Sequence, residues 1–270
     1  LGTLNFMSMR FIVLCVYGRI AAGNPASYTI YKFRKKNWKL LILQIMESAK
    51  TERVLQTTAD GSATIYIPSI DEHYHSVRGA LTESRHVYLS CGVLHRASRL
   101  DMPRPLRVME VGFGTGLNAA LCASSGVAMH YMAFELYPLA AAEVEALGYG
   151  AYVDGETLCK LHSAPWDSAV AINDNFTIEK IHADMTVTPL PQEIDVVLYD
   201  AFAPDKQPEM WQAGLFRRVY DVMTDGATLT TYCAKGCVRR MLEAVGLHVE
   251  RLPGPPGGKR EILRATKMPS

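Results

Sequence analysis

The sequence predicts an α/β fold built on a mostly parallel sheet, and three observations carry that prediction. Short hydrophobic runs alternate with helical patterns from Leu106 onward. A glycine-rich loop follows the first of these runs, and the last two are joined by Pro253-Gly254-Pro255-Pro256-Gly257-Gly258, too short for a helical crossover. The expected strands are 107–111, 130–136, 176–182, 194–199, 227–233, 248–252 and 261–266. Helical patterns at 118–125, 139–147, 209–223 and 236–245 separate them and should cover both faces of the sheet. The final strand should run antiparallel.

Upstream, β-prone runs at 53–58 and 64–67 flank Asp60-Gly61, a hairpin turn signal. A polar, histidine-rich stretch without clear periodicity follows at 71–85. The chain is therefore divided into a small N-terminal β-rich subdomain at 46–100 and a main domain at 101–270. Residues 1–45 carry an apolar run at 11–17, then Ala21-Ala22-Gly23 and a basic, aromatic stretch at 31–39, somewhat like a signal peptide. With Met46 taken as a start, they are an N-terminal extension, upstream or non-native.

About half of the 270 residues are hydrophobic and the net charge is +1, which excludes a disordered chain. No apolar run reaches the roughly 18 residues needed to cross a bilayer. The charge is unevenly spread: seven basic residues and no acid in 1–45, 13 basic against 24 acidic in 46–234, and eight basic against three acidic from Lys235 onward. Contact with a polyanion is thus expected from a local patch near the C-terminus. The six cysteines are scattered without zinc or redox spacing, which suggests buried thiols in a reducing, cytoplasmic setting. His73 and His75 alternate as on a strand face but lack a third ligand, so no metal site is expected.

The central motif is Glu110-Val111-Gly112-Phe113-Gly114-Thr115-Gly116-Leu117-Asn118. Gly112, Gly114 and Gly116 allow a sharp strand-to-helix turn and close approach of a nucleotide to backbone. A dinucleotide loop would put its third small residue at position 117, where this chain has Leu. The acid two residues before Gly112 instead suits the amino group of S-adenosylmethionine, with Asn118 closing the loop. Glu135 ends the second strand, where a carboxylate can accept from ribose hydroxyls. Asp184 follows the third and is placed for an adenine amino group. The sheet pattern and this loop together suggest a Rossmann-like class I methyltransferase with seven strands.

The fourth strand ends at Asp200, followed by Ala201-Phe202-Ala203-Pro204-Asp205-Lys206-Gln207-Pro208-Glu209-Met210-Trp211. A carboxylate there can orient an amine and take its proton. Met210 and Trp211 share helical spacing with Leu215 and read as core. Lys206, Lys235, Arg239, Arg240, Lys259 and Arg260 are candidate phosphate contacts, the last two first.

Taken together, 110–118, 200–211, Gly257-Gly258-Lys259-Arg260-Glu261 and the stretch from Tyr74-His75-Ser76 to Leu89 resemble the methyltransferase half of the bacterial bifunctional enzyme family that completes 5-methylaminomethyl-2-thiouridine in tRNA. The resemblance covers roughly 70–267. It implies methyl transfer from S-adenosylmethionine to the aminomethyl nitrogen of a tRNA wobble uridine, with Asp200 as acid/base and Tyr74, Lys206, Lys259 and Arg260 on the substrate side. No second glycine fingerprint is present, so the resemblance is to the stand-alone form, without flavin, dependent on a separate enzyme for its aminomethyl substrate. The rivals are a methyl- or aminopropyltransferase acting on a small amine, and a non-catalytic tRNA-binding relative.

Overall fold

The computed structural model describes residues 52–99 and 104–269. The expectation for 1–45 lies outside them. The first described element is a three-stranded antiparallel sheet, β1 (Val54–Thr57), β2 (Ala63–Ile67) and β3 (Glu72–His73). Its hairpin closes around Asp60, whose carboxylate accepts from Thr58, Ser62 and Thr82. These bonds hold the Asp60 carboxyl far below its usual range against the opposing effect of burial.

Next comes α1, a long helix that the sequence pattern did not announce. It begins as Ala80–Glu83, continues as an eleven-residue π-helical stretch, Ser84–Leu94, and ends with His95–Ala97. It lies on the main sheet, so the 46–100 segment supplies both the small sheet and a layer of the main core. The described residues from 52 onward form one unit.

The main sheet has eight strands in the order β10-β11-β9-β8-β4-β5-β7-β6. In chain order they and their helices are β4 (Leu106–Val111), α2 (Leu117–Ala123), β5 (Met129–Glu135), α3 (Ala141–Ala146), α4 (Gly155–Ser163), β6 (Ala169–Asn173), β7 (Phe176–His182), β8 (Ile194–Tyr199), α5 (Ala213–Val222), β9 (Met223–Thr231), α6 (Gly236–Ala244), β10 (Leu247–Pro253) and β11 (Glu261–Lys267). Seven match expected strands, two of them residue for residue. The eighth, β6, corrects the seven-strand expectation: it pairs antiparallel with β7 through a turn at Asn173-Asp174-Asn175. The last strand is antiparallel as expected.

Burial on both faces explains the apolar central strands. Val108, Tyr131, Val196 and Leu198 face the core shared with α1 and α2. Met109, Met132, Val197 and Tyr199 face the opposite core, shared with α5 and α6. Near the start of β8 Asp195, almost wholly buried, holds Arg104 through two bonds of 2.7 and 2.9 Å and also accepts from Arg107 N–H and Thr224. Strand β4 lies between β5 and β8, so the chain departs to opposite sides from it and opens a crevice at its carboxyl end. Among the described residues no helix is long and apolar enough to cross a membrane.

Candidate active site

A cavity of about 420 Å³ occupies that crevice, within the range usual for small-molecule sites, roughly 300–1,000 Å³. Its floor is the glycine loop. Gly114 adopts φ +51°, and a Cβ there would sit 3.0 Å from the Tyr74 ring, so the loop can lie this close only without a side chain. Tyr74 stands edge-on to Phe202, and burial pushes its phenol up to about 12. Below the loop, buried His75 meets Thr115 Oγ1 at 2.6 Å, and burial drives its imidazole down to about 4, so it is neutral.

Glu135 lines the cavity, its two oxygens accepting from Gly114 N–H (2.9 Å) and Tyr137 N–H (2.8 Å). Asp184 lines it too, with Oδ1 engaged by Thr186 N–H and hydroxyl. Gly112, Gly114, Asn118, Asp200, Tyr74 and Lys206 complete the sequence-predicted residues found in this wall. Lys206 also pairs with Asp71 at 3.4 Å.

Two expected cofactor residues are absent from the lining. Gly116 turns the chain into α2, packed beside His162 and Phe113. Glu110 shares strand parity with Val108, so its side chain points toward α2 and not into the cavity. It is fully buried, accepts from Asn118 Nδ2 at 3.0 Å, and burial raises its pKa well above the usual carboxyl range. Glu110 thus meets the cavity through Asn118, which lines it.

Asn118 Nδ2 also donates to Asp200 Oδ2 at 2.9 Å, while Tyr88 Oη donates to Oδ1 at 2.6 Å. Burial pushes the Asp200 carboxyl up to about 7 against both bonds. Asp200 is thus a carboxyl that exchanges its proton near neutrality at the cavity wall.

A second cavity of about 360 Å³ lies on the other side of the Asp200–Met210 segment, lined by Ala203, Pro204, Tyr232, Lys235, Lys259 and Arg260 among others. Lys259 Nζ stands 3.6 Å from the centre of the Tyr232 ring, and desolvation there lowers its pKa. Lys259 and Arg260 therefore border this cleft and do not reach the first cavity. Lys235 and Arg239 are paired with Asp205 and Glu243. Trp211 and Met210 are core residues, with Met210 also touching the first cavity.

Three residues of this site went unrecognised in the sequence. Arg53 reaches the cavity while held by Glu143 at 3.0 Å, His75 supports the loop, and Tyr88 holds Asp200. Strand alternation noted His75 but gave it no role, and it bonds Thr115. No periodicity flagged Tyr88.

The cradle suits S-adenosylmethionine: an open glycine loop, a carboxylate with backbone-fixed oxygens at the second strand end, and a second acid after the third. The sequence profile of a family described as S-adenosyl-L-methionine-dependent methyltransferase matches residues 163–268. The tRNA 5-methylaminomethyl-2-thiouridine biosynthesis bifunctional protein MnmC of Pseudomonas fluorescens is 35% identical over 212 residues, 72% of this chain and 32% of the relative. The MnmC of Stutzerimonas stutzeri is 34% identical over 208 residues, 71% and 31%. The chain thus spans about a third of the length of the curated relatives it matches. In fold it is similar to the crystal structure of MNMC2 from Aquifex aeolicus, with TM-score 0.64 and 20% identity, covering 97% of this chain and 85% of that one. With the glycine cradle, the strand-end acids and these likenesses in agreement, the chain belongs to the S-adenosyl-L-methionine-dependent methyltransferase family represented in the MnmC proteins.

Proposed function

We propose that this protein methylates the exocyclic aminomethyl nitrogen of a tRNA wobble uridine, converting 5-aminomethyl-2-thiouridine to 5-methylaminomethyl-2-thiouridine. The observation that carries the reading is Asp200, poised near neutrality in the wall of a nucleotide-sized cavity. The printed names of the relatives support a tRNA substrate.

Gly112, Gly114 and Glu135 would hold the cofactor, with Asp184 toward its base and Asn118 near its amino acid end. When bound, S-adenosylmethionine supplies an electrophilic methyl carbon. Asp200 orients the amine through its remaining lone pairs and receives the proton that nitrogen must lose, at Oδ1 or Oδ2. Holding the amine in line contributes more than the proton transfer, on the order of 7–11 kcal/mol. Tyr74 and Lys206 border the amine, while Lys259 and Arg260 meet phosphates flanking the target nucleotide. A separate enzyme supplies the aminomethyl group, and the reaction runs in the cytoplasm.

The test is mass spectrometry of nucleosides from tRNA rich in 5-aminomethyl-2-thiouridine, after incubation with the protein and S-adenosylmethionine. The expected result is a gain of one methyl mass on that nucleoside. No gain, with cofactor binding demonstrated, would transfer the reading to a small-molecule amine.

A further inference from the structure

Helix α1 reaches the site by an unusual route. In a π-helix each N–H bonds about five residues back, so side chains on one face recur about every four to five residues. The buried residues of this stretch, Ser84, Val87, Tyr88, Gly92 and Val93, follow that spacing. Gly92 fixes the helix against the sheet: a Cβ there would lie 2.9 Å from Thr230 Oγ1 and 3.2 Å from Leu198 Cδ2. Leu198 is on β8, two residues before Asp200. With the helix pinned at Gly92, Tyr88 lies one turn nearer the strand end, and its hydroxyl meets Asp200 Oδ1 at 2.6 Å. Tyr88 is itself 1% exposed, so neither substrate nor cofactor can touch it.

We propose that Tyr88 is the positioning residue of Asp200: its hydroxyl, delivered by the π-helical register of α1, fixes the carboxylate so that its free lone pairs face the amine. This rests on the reading that Asp200 receives the amine proton. Tyr88 acts only as a donor, because burial and the neighbouring Asp200 and Glu83 carboxyls raise its phenol well above 10. With Asn118 on Oδ2, each carboxylate oxygen has one fixed donor. Rotation of the carboxyl about its bond would break both.

The titratable groups facing Asp200 are Tyr88 and Glu83 from α1, Glu110 and Tyr131 from the central strands, Tyr232 after β9, and Lys259 from the β10–β11 turn. A Tyr88→Phe substitution leaves every other member in place and keeps the ring in its packing site. It removes a hydrogen bond that favours the ionised carboxyl, so Asp200 should release its proton at higher pH.

The readout is an infrared titration of the carboxylic C=O band, assigned by its disappearance in Asp200→Asn, on the full chain without substrate. In Tyr88→Phe the midpoint should rise by about one to two pH units, as expected for a bond to a charged acceptor. The acidic limb of kcat should move with it while KM for the cofactor stays constant. A fluorinated tyrosine at 88, a stronger donor of the same shape, should move the midpoint down. A midpoint unmoved in both variants overturns the proposal and leaves Tyr88 as packing. The proposed role of Asp200 has its own arm: full turnover in Asp200→Asn would remove the proton acceptor, while the infrared midpoints would still report on the Tyr88 bond.

Discussion

Replacing Asp200 by Asn should make the protein more stable and less active, and the stability gain should depend on pH. The native carboxyl titrates at about 7, against 3.8 for an unperturbed one. Between these values the unfolded chain has released a proton that the native chain still holds, so stability falls as pH rises through the window and stays reduced above it. Three units at ~1.4 kcal/mol each give an upper bound of about 4 kcal/mol. Asp200 is only partly buried, and water at the cavity wall reduces the expectation to about 1–2 kcal/mol. The substituted amide carries no such penalty, and Asn118, whose Oδ1 is buried without a partner, can turn to accept from it. At about 2–4 °C per kcal/mol for a chain of this size, Tm at about pH 8 should rise by roughly 2–8 °C. The advantage should shrink toward about pH 4.5, where the native carboxyl is protonated. Turnover should drop at least tenfold, about 1.4 kcal/mol in barrier. Thermal melts of both proteins across that range provide the assay, and a Tm difference independent of pH would refute the reasoning.

Other outcomes follow from the same geometry. His75→Phe leaves the Thr115 hydroxyl unpaired beneath the glycine loop and should cost about 1–3 kcal/mol by denaturant melts. It should also abolish the part of the pH dependence due to His75: with a native pKa of about 4 against 6.5, stability is lost as pH falls through that interval, which parent and variant melts would reveal. Gly112→Ala forces a Cβ to 3.0 Å from the Asp200 carbonyl at φ +89°, and should cost about 1–3 kcal/mol of strain and weaken cofactor binding in calorimetry. Arg260→Ala should lower the slope of log affinity for tRNA against log salt by about one while leaving cofactor binding unchanged, as titrations at several salt concentrations would show.

The parallel sheet was readable because its strands are apolar on both faces and bounded by turn residues; 176–182 and 194–199 are matched at both ends for this reason. The cavity wall was readable through Gly112, Gly114, Glu135, Asp184 and Asp200, all at carboxyl ends of strands. Helix α1 was not, because a π-helical face does not repeat at the α-helical period that signals a helix. Strand β6 carries a mostly exposed edge pattern, and only the Asn173-Asp174-Asn175 turn signalled it. The burial of Glu110 was legible in the alternation from Val108, since an acid in phase with that core valine faces α2. Lys259 shows the limit of charge counting, since the sequence carries no sign that this cation sits over the Tyr232 ring.

The strand order also sets a timetable for assembly. Both ends of the sheet are hairpins between chain neighbours, β6 with β7 and β10 with β11, whereas β4 must wait for β8, some ninety residues later, before its second edge is covered. Closing so long a loop is slow compared with forming a hairpin. Pulse-labelled hydrogen exchange during refolding should therefore protect β10–β11 amides before those of β4. A nascent chain that has not yet emitted β8 has neither Asp200 nor a second wall to its cleft, so the catalytic crevice is among the last parts of the molecule to come into being.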